Sequence, residues 1–211
     1  IPLAVTHPGY LYTAFEPLPI INMQLNANAL LNNLDNVRVF NYGLSNKEEI
    51  IDAPCLDIER SSNHGSYSFD QEINRKRNIF GSNATEVYEF RTLDSFRFAN
   101  VKLVKISTPG MENRVLGGMV ETLINNNFPP VLFESWNMEW YKDEKAKALD
   151  FFASKAYEHY VMLGEHVLAF KTKAQHDAIL QDGPAPELGT FKVTEQSHDT
   201  SSVLANQVAL R

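Results

Sequence analysis

Residues 10–17 read YLYTAFEP, a short aromatic run without basic residues that ends at Glu16 and a proline. A run of this kind predicts a buried strand over Tyr10–Phe15. Residues 19–34 repeat apolar side chains at a spacing of four and predict an amphipathic helix. Residues 37–42, VRVFNY, predict a second strand. The helix face predicted to be buried comprises Ile21, Leu25, Ala29, Leu30 and Leu34.

The rest of the chain continues this alternation of strands and helices. The further elements predicted are strands over Val87–Leu93, Val101–Ile106 and Val131–Phe133, helices over Met111–Asn127 and Lys142–Ala156, and a hairpin of Tyr157–Leu163 and His166–Lys171 around Gly164. We expect the strands, apart from the added Val87–Leu93 and the hairpin, to be parallel members of one sheet. The hairpin is expected to be antiparallel at one edge. The predicted fold class is therefore α/β with a mostly parallel sheet.

Two segments lack a clear period. Residues 46–86 are polar and long for a simple connection, which indicates either a functional lid or a small irregular excursion. Residues 174–211 are polar and interrupted by glycine and proline, and the element predicted there is a short helix capped by Ser201 or Ser202. We therefore divide the chain into a main domain over 1–173 and a C-terminal tail, which is the segment expected to engage any protein partner.

The composition narrows the classes of function. The 211 residues carry a formal net charge of -7, so the surface repels phosphate backbones and nucleic acid is not an expected partner. Cys55 is the only cysteine, which excludes an internal disulfide and fits a reducing compartment, with the cytoplasm favoured. No apolar run in the sequence is long enough to cross a bilayer. The sequence begins at Ile1 rather than Met, so a targeting segment ahead of it would not be visible.

Glu16 directly follows a predicted buried strand. In α/β sheets, ligands bind beyond the carboxyl ends of the strands. A carboxylate there can accept hydrogen bonds from both hydroxyls of a ribose. A glutamate at this position can equally cap the helix that follows. Position alone leaves the nucleotide-binding and helix-capping interpretations open.

A series of short motifs resembles the FkbM-type S-adenosylmethionine-dependent methyltransferases, in that family's order. The motifs are AFEP at 14–17, NVRVF at 36–40, GLS at 43–45, GSYS at 65–68, TLD at 92–94, the segment from Lys105 to Gly117, the strand end at Glu134 and the hairpin at Gly164. Each motif is weak alone, but the ordered set covers roughly 10–171 and is fairly specific. The resemblance implies a seven-stranded Rossmann-like methyltransferase fold, S-adenosylmethionine as methyl donor, and O-methylation of a small molecule or sugar. It also implies that Glu16 holds the ribose of the cofactor.

The N-terminal part departs from this family. The family has a first strand, a glycine-rich turn and a helix before the segment that resembles AFEP, whereas only residues 1–9 precede it here. The sheet is therefore expected to lack its first strand in this chain. Its two flanking strands would then expose unpaired backbone groups, so a missing N-terminal piece is favoured over a natural start at Ile1.

The expected catalytic strand departs as well. The family's strand ends in Lys-Ile-Asp, an apolar residue and Glu-Gly, but Ser107 and Pro109 stand at the acidic positions here. Serine is a poor base, and proline offers no side-chain proton acceptor. The candidate catalytic residues are therefore Glu134, His64 and Ser107. His64 is alternatively a solvated loop residue. Trp136 beside Glu134 either forms the wall of a substrate pocket or packs in the core.

Three classes of function remain open at this stage. The resemblance favours a methyltransferase, whereas Ser107 and Pro109 favour a catalytically inactive methyltransferase-like subunit or binding module. A dehydrogenase is a weaker alternative, because an acid after the second strand also suits NAD. No metal-binding constellation stands out in the sequence. His159 and His166 flank the hairpin and are expected to face solvent.

Overall fold

The computed structural model describes residues 1–60, 64–175 and 177, which form two compact units. The first unit comprises residues 1–97 and 108–120, and the second comprises 98–107 and the described residues from 121 onward. Strands and helices alternate, and both parallel and antiparallel ladders occur. The α/β class predicted from the sequence is confirmed at this level. The tail helix predicted at Ser201 or Ser202 lies outside the described residues.

The first unit is built around two small sheets. Its elements are α1 (Pro2–Thr6), β1 (Tyr12–Phe15), α2 (Pro19–Leu31), β2 (Val37–Phe40), β3 (Gly43–Leu44), β4 (Glu49–Leu56), α3 (Gln71–Arg77), β5 (Gly81–Arg91) and α4 (Glu112–Gly117). β1 and β2 pair in parallel, with Phe15 opposite Phe40. These rings stack at 5.4 Å between centroids, and Phe96 meets Phe15 edge-on at 4.8 Å. Aromatic pairs of this kind help to fix the register of the strands.

β5 is the central strand of the other sheet in this unit. It pairs in parallel with the short β3 and antiparallel with β4 along most of its length. The core of the unit consists of buried apolar side chains from this sheet and its surroundings, namely Leu18, Ala53, Leu56, Tyr67, Tyr88, Phe90 and Met111.

The second unit contains a four-stranded sheet. The remaining elements are β6 (Val104–Ile106), α5 (Val120–Asn125), β7 (Val131–Glu134), α6 (Lys142–Ser154), β8 (His159–Leu163) and β9 (His166–Phe170). The strand order is β6-β7-β9-β8, with β6 and β7 parallel and the other two pairings antiparallel. The predicted hairpin at the sheet edge is therefore confirmed. Phe133 of β7 stacks on Phe152 of α6 at 4.9 Å between centroids, which joins sheet and helix.

The prediction of one mostly parallel sheet is wrong. β1 and β2 form a two-stranded sheet, whereas β6 and β7 belong to a different sheet with the hairpin. Of the ladders between described strands, three are parallel and three antiparallel. The physical reason is that no described strand forms backbone hydrogen bonds with both β1 and β6. The β1–β2 ladder and the β6–β7 ladder are therefore not joined into one sheet.

Residues 46–86 are more regular than the sequence predicts. They contain β4, α3 and the first residues of β5. Asp70 caps α3, because its carboxylate accepts hydrogen bonds from the backbone N–H groups of Glu72 at 2.8 Å and Ile73 at 3.4 Å. The strand pattern of β4 is hard to recognise, since EIIDAPCL contains Asp52 and Pro54, both of which are depleted in strands.

The single helix predicted over Met111–Asn127 is two helices, α4 and α5, interrupted at Gly118. A Cβ atom at Gly118 would lie 2.0 Å from the carbonyl oxygen of Ser45, so the backbone at Ser45 can approach only a glycine here. Leu30 was expected on the buried face of α2, but 78% of it is exposed. Ala29 is the residue of that face that is buried.

Candidate active site

β6 and β7 bring two of the predicted catalytic residues together. The strands pair in parallel, with Ile106 opposite Phe133, and both of these residues are buried. Because parallel strands end at the same edge of a sheet, the next residues along each strand, Ser107 and Glu134, are neighbours. Ligands of α/β proteins bind at this type of edge.

Ser107 and Glu134 are hydrogen bonded to each other. The Ser107 hydroxyl donates to Oε1 of Glu134 at 2.9 Å. Ser107 is exposed, whereas only 17% of the Glu134 side chain is exposed. Oε2 of Glu134 is buried and has no hydrogen-bond partner in the described part of the chain. A ligand hydroxyl that arrives beside Ser107 would therefore meet Oε1.

β9 adds a third polar side chain at this edge. Its antiparallel pairing with β7 places His166 opposite Glu134. Nε2 of His166 lies 3.9 Å from Oε1 of Glu134, and an imidazole at this distance forms an ion pair with the carboxylate when it is protonated. His166 is partly exposed, but it also faces Glu134 rather than solvent alone. We refer to Ser107, Glu134 and His166 as the strand-end cluster.

Aromatic side chains support the chain after β7. Trp136 is 6% exposed and packs against Trp140 and Tyr141, with ring centroids 5.5 Å and 4.9 Å away. The hydroxyl of Tyr141 donates to the backbone carbonyl of Glu134 at 3.5 Å. The core-packing interpretation of Trp136 fits this burial, and the packing holds the loop that follows Glu134 in place.

The sequence predicts Ser107 and Glu134 as candidate catalytic residues, and the structure brings these two together, but the sequence analysis does not place His166 beside them. The contact depends on the pairing of β7 with β9, which are separated in the chain by α6 and β8. A signal was nevertheless available. If the strand that starts at His166 is taken as the antiparallel neighbour of β7, His166 is expected near the end of β7, where Glu134 lies.

His64 lies in a short 3-10 turn over His64–Ser66, and its side chain is outside the described residues. Its catalytic role therefore stays a prediction. The following Ser66, Tyr67 and Ser68 are buried. The segment expected to act as a lid is thus packed into the first unit along these three residues.

Ser68 connects two of the motifs that carry the family resemblance. Its hydroxyl donates a hydrogen bond to the carbonyl oxygen of Pro109. The buried Asn74 side chain accepts from the Ser68 N–H at 2.8 Å and donates to the Ser68 carbonyl at 2.7 Å. Pro109 thus contributes its carbonyl oxygen where the family has an acidic side chain, and the GSYS segment is fixed to the turn at 108–110.

Glu16 follows β1 in the first unit, as the sequence predicts. Its Oε1 accepts a hydrogen bond from the backbone N–H of Leu18 at 2.8 Å, directly before α2. Its own backbone carbonyl accepts from the Asn41 side chain at 2.8 Å. Burial raises the pKa of the Glu16 carboxyl, and the hydrogen bond from Leu18 opposes only part of this effect. The carboxylate is therefore poorly solvated and short of donors.

These contacts allow both interpretations of Glu16. The bond to Leu18 is a local contact at the start of α2 and uses Oε1. None of the described residues donates to Oε2 of Glu16. A pair of ribose hydroxyls could donate to this oxygen without displacing Leu18, and such donors would offset the loss of solvent. Glu16 is therefore a residue that could hold the ribose of a nucleoside cofactor, and the helix-capping interpretation also stays open.

The described residues contain no group of three or more His, Cys, Asp or Glu side chains that could hold a metal ion. Among the helices in the same part of the chain, none has both the length and the apolar character needed to cross a membrane. Cys55 is a free thiol.

The fold is similar to that of a solved methyltransferase. The crystal structure of methyltransferase FkbM from Methylobacillus flagellatus KT aligns with a TM-score of 0.51 and 12% sequence identity. The alignment covers 80% of this chain and 39% of that chain. No family model matches the sequence, and no curated protein matches it. The fold is therefore methyltransferase-like, and the relation to FkbM is one of fold.

Proposed function

We propose that this protein is an S-adenosylmethionine-dependent methyltransferase that methylates a hydroxyl of a small molecule or a glycan. The observation that carries this proposal is the hydrogen bond between Ser107 and Glu134 at the ends of two parallel strands, in a methyltransferase-like fold. A carboxylate and a hydroxyl at this position can receive and orient an acceptor hydroxyl.

Glu134 is the proposed proton acceptor. Because its Oε2 is buried, Oε1 is the atom that would take the proton from the acceptor hydroxyl. Ser107, exposed beside it, would orient that hydroxyl as a weak substrate contact. His166 adds positive charge next to Oε1 when its imidazole is protonated. His64 is proposed as a second proton acceptor.

Glu16 is the residue proposed to bind the cofactor, by accepting hydrogen bonds from its ribose hydroxyls. S-adenosylmethionine supplies the methyl group in this proposal. The contribution of the protein is to hold the acceptor oxygen in line with that group, and positioning of this kind accounts for much of the rate in such transfers.

The test is transfer of a labelled methyl group from S-adenosylmethionine to a panel of hydroxylated metabolites and sugars by the full-length protein. We expect turnover by the wild type and a loss of about 100-fold or more in Glu134→Gln, because an amide cannot accept the proton. Ser107→Ala should lose less than about fivefold, since water can replace an exposed hydroxyl. Glu139→Gln is the matched control, because Glu139 is an exposed glutamate of the same unit that pairs with Lys142.

Two results would contradict the assignment. Equal turnover in Glu134→Gln and Glu139→Gln would remove Glu134 from the reaction. Absence of methyl transfer to every acceptor, together with absence of cofactor binding by the wild type, would exclude the enzyme.

The second candidate function is that of a catalytically inactive methyltransferase-like subunit or binding module. Ser107 and Pro109, which stand where the family has acids, favour it. In that case the double substitution Ser107→Asp and Pro109→Glu would not create turnover unless the cofactor site is also intact. Turnover by the wild type would exclude this alternative.

A further inference from the structure

A cavity of about 330 Å³ opens in the first unit, apart from the residues assigned above. Its apolar wall is formed by Ile51 of β4, Phe69 and Met111, and its polar lining by Asp70, Gln71 and Arg114. A volume of this size is at the lower end of the range for ligand sites.

The ring of Phe69 is held in place before any ligand arrives. It makes edge-on contacts with Tyr67, Tyr88 and Phe90, with ring centroids 5.6, 4.8 and 4.9 Å away. Met111 beside it belongs to the same buried core. A wall fixed in this way needs little reorganisation when an apolar group packs against it, which favours binding.

The positive charge in the polar lining of the cavity comes from Arg114. Its Nη1 pairs with Oε1 of Glu49 at 3.1 Å, but Glu49 also pairs with Lys47 at 3.2 Å and accepts from the Ser45 hydroxyl at 2.7 Å. Burial alone would raise the pKa of Glu49, yet the hydrogen bonds from Ser45 and Lys47 and the charge of Arg114 outweigh it and lower the pKa. One ionised carboxylate is therefore shared between two cations, so Glu49 alone does not neutralise both Lys47 and Arg114.

Arg114 can contact a ligand in the cavity. Its side chain is 46% exposed and reaches the cavity lining. The guanidinium has five N–H donors in a planar fork, so the pairing with Glu49 leaves donors for a second anion. Asp70 lines the same cavity and repels anions, doubly charged ones more strongly than singly charged ones. A single negative charge is therefore preferred.

We propose that this cavity binds a small monocarboxylic acid, with its carboxylate on Arg114 and its apolar body against Phe69 and Met111. Neither Glu16 nor the strand-end cluster takes part. The proposal concerns binding alone, so it can fail or succeed independently of methyl transfer.

The test uses benzoate as the probe, with benzamide as its neutral isostere and inorganic phosphate as a second anion. Binding to the full-length protein is measured by calorimetry and by ligand-observed NMR. We expect benzoate to bind more tightly than either comparison compound. Arg114→Gln should weaken benzoate at least about tenfold through loss of a charge-assisted contact, and Arg114→Lys should restore part of the loss.

Arg91→Gln is the matched control, because Arg91 is an arginine of the same unit paired with Glu89 outside the cavity lining. It should bind benzoate as the wild type does. Far-ultraviolet circular dichroism and the melting temperature establish that each variant is folded. The proposal is overturned if benzoate does not bind, if benzamide or phosphate binds as tightly, or if a folded Arg114→Gln binds benzoate with wild-type affinity.

Discussion

At the residue scale, Glu16 and Glu134 differ in how their carboxylates are surrounded. Glu134 accepts a hydrogen bond from Ser107 and has His166 at 3.9 Å. Glu16 has one backbone donor, Leu18, and is otherwise desolvated. Further hydroxyl donors would stabilise the Glu16 carboxylate, since burial without donors is unfavourable for an ionised group.

We therefore expect ionisation of the buried Glu16 to lower the free energy of unfolding as the pH rises. Its pKa in the folded protein lies above the ordinary value of 4.5, mainly because of burial, so the folded state holds its proton to higher pH than the unfolded state. The loss of stability is absent well below pH 4.5, where Glu16 is protonated in both the folded and the unfolded state. It grows as the pH rises and levels off once the pH passes the pKa of Glu16 in the folded state. Glu16→Gln should thus gain stability relative to wild type between pH 4 and neutrality, as measured by urea unfolding at a series of pH values. A stability difference that does not change with pH would contradict this explanation.

At the element scale, local patterns predicted most elements but not their partners. YLYTAF, VRVFNY and the strand ending at Glu134 were found because short apolar runs bounded by turns are typical of buried strands. β4 was missed because Asp52 and Pro54 interrupt its pattern. The division into separate sheets, like the contact between His166 and Glu134, depends on hydrogen bonds between residues far apart in the chain. The spacing of apolar residues along the sequence carries no information on these long-range hydrogen bonds.

The interruption between α4 and α5 can be tested with two adjacent glycines. Gly118→Ala should destabilise the protein by about 1–3 kcal/mol, because its Cβ would lie 2.0 Å from the Ser45 carbonyl oxygen, where backbone must move. Gly117→Ala is the matched control. Its Cβ would meet only the Asn46 side chain at 3.1 Å, and alanine favours the helix. Urea unfolding should show the difference, and equal stability of the two variants would contradict the close approach at Ser45.

At the scale of the whole molecule, the likeness to FkbM defines a methyltransferase-like fold, while the chemistry depends on particular residues. The division into a main domain over 1–173 and a tail over 174–211 stays a prediction, and most of the tail lies outside the described residues. The resemblance in the sequence and the similarity of structure agree on a methyltransferase-like fold. The acids of the family are absent at 107 and 109, so binding of S-adenosylmethionine is the property that best separates the enzyme from the inactive subunit.

Calorimetric titration of the full-length protein with S-adenosylmethionine addresses that question most directly. We predict that the wild type binds and that Glu16→Ala binds about 10- to 100-fold more weakly, from loss of hydrogen bonds to a charged group worth about 1.5–3 kcal/mol. Glu59→Ala, which removes an exposed glutamate of the same unit, should bind as the wild type does. Absence of binding to the wild type, or equal affinity of Glu16→Ala and Glu59→Ala, would contradict the account.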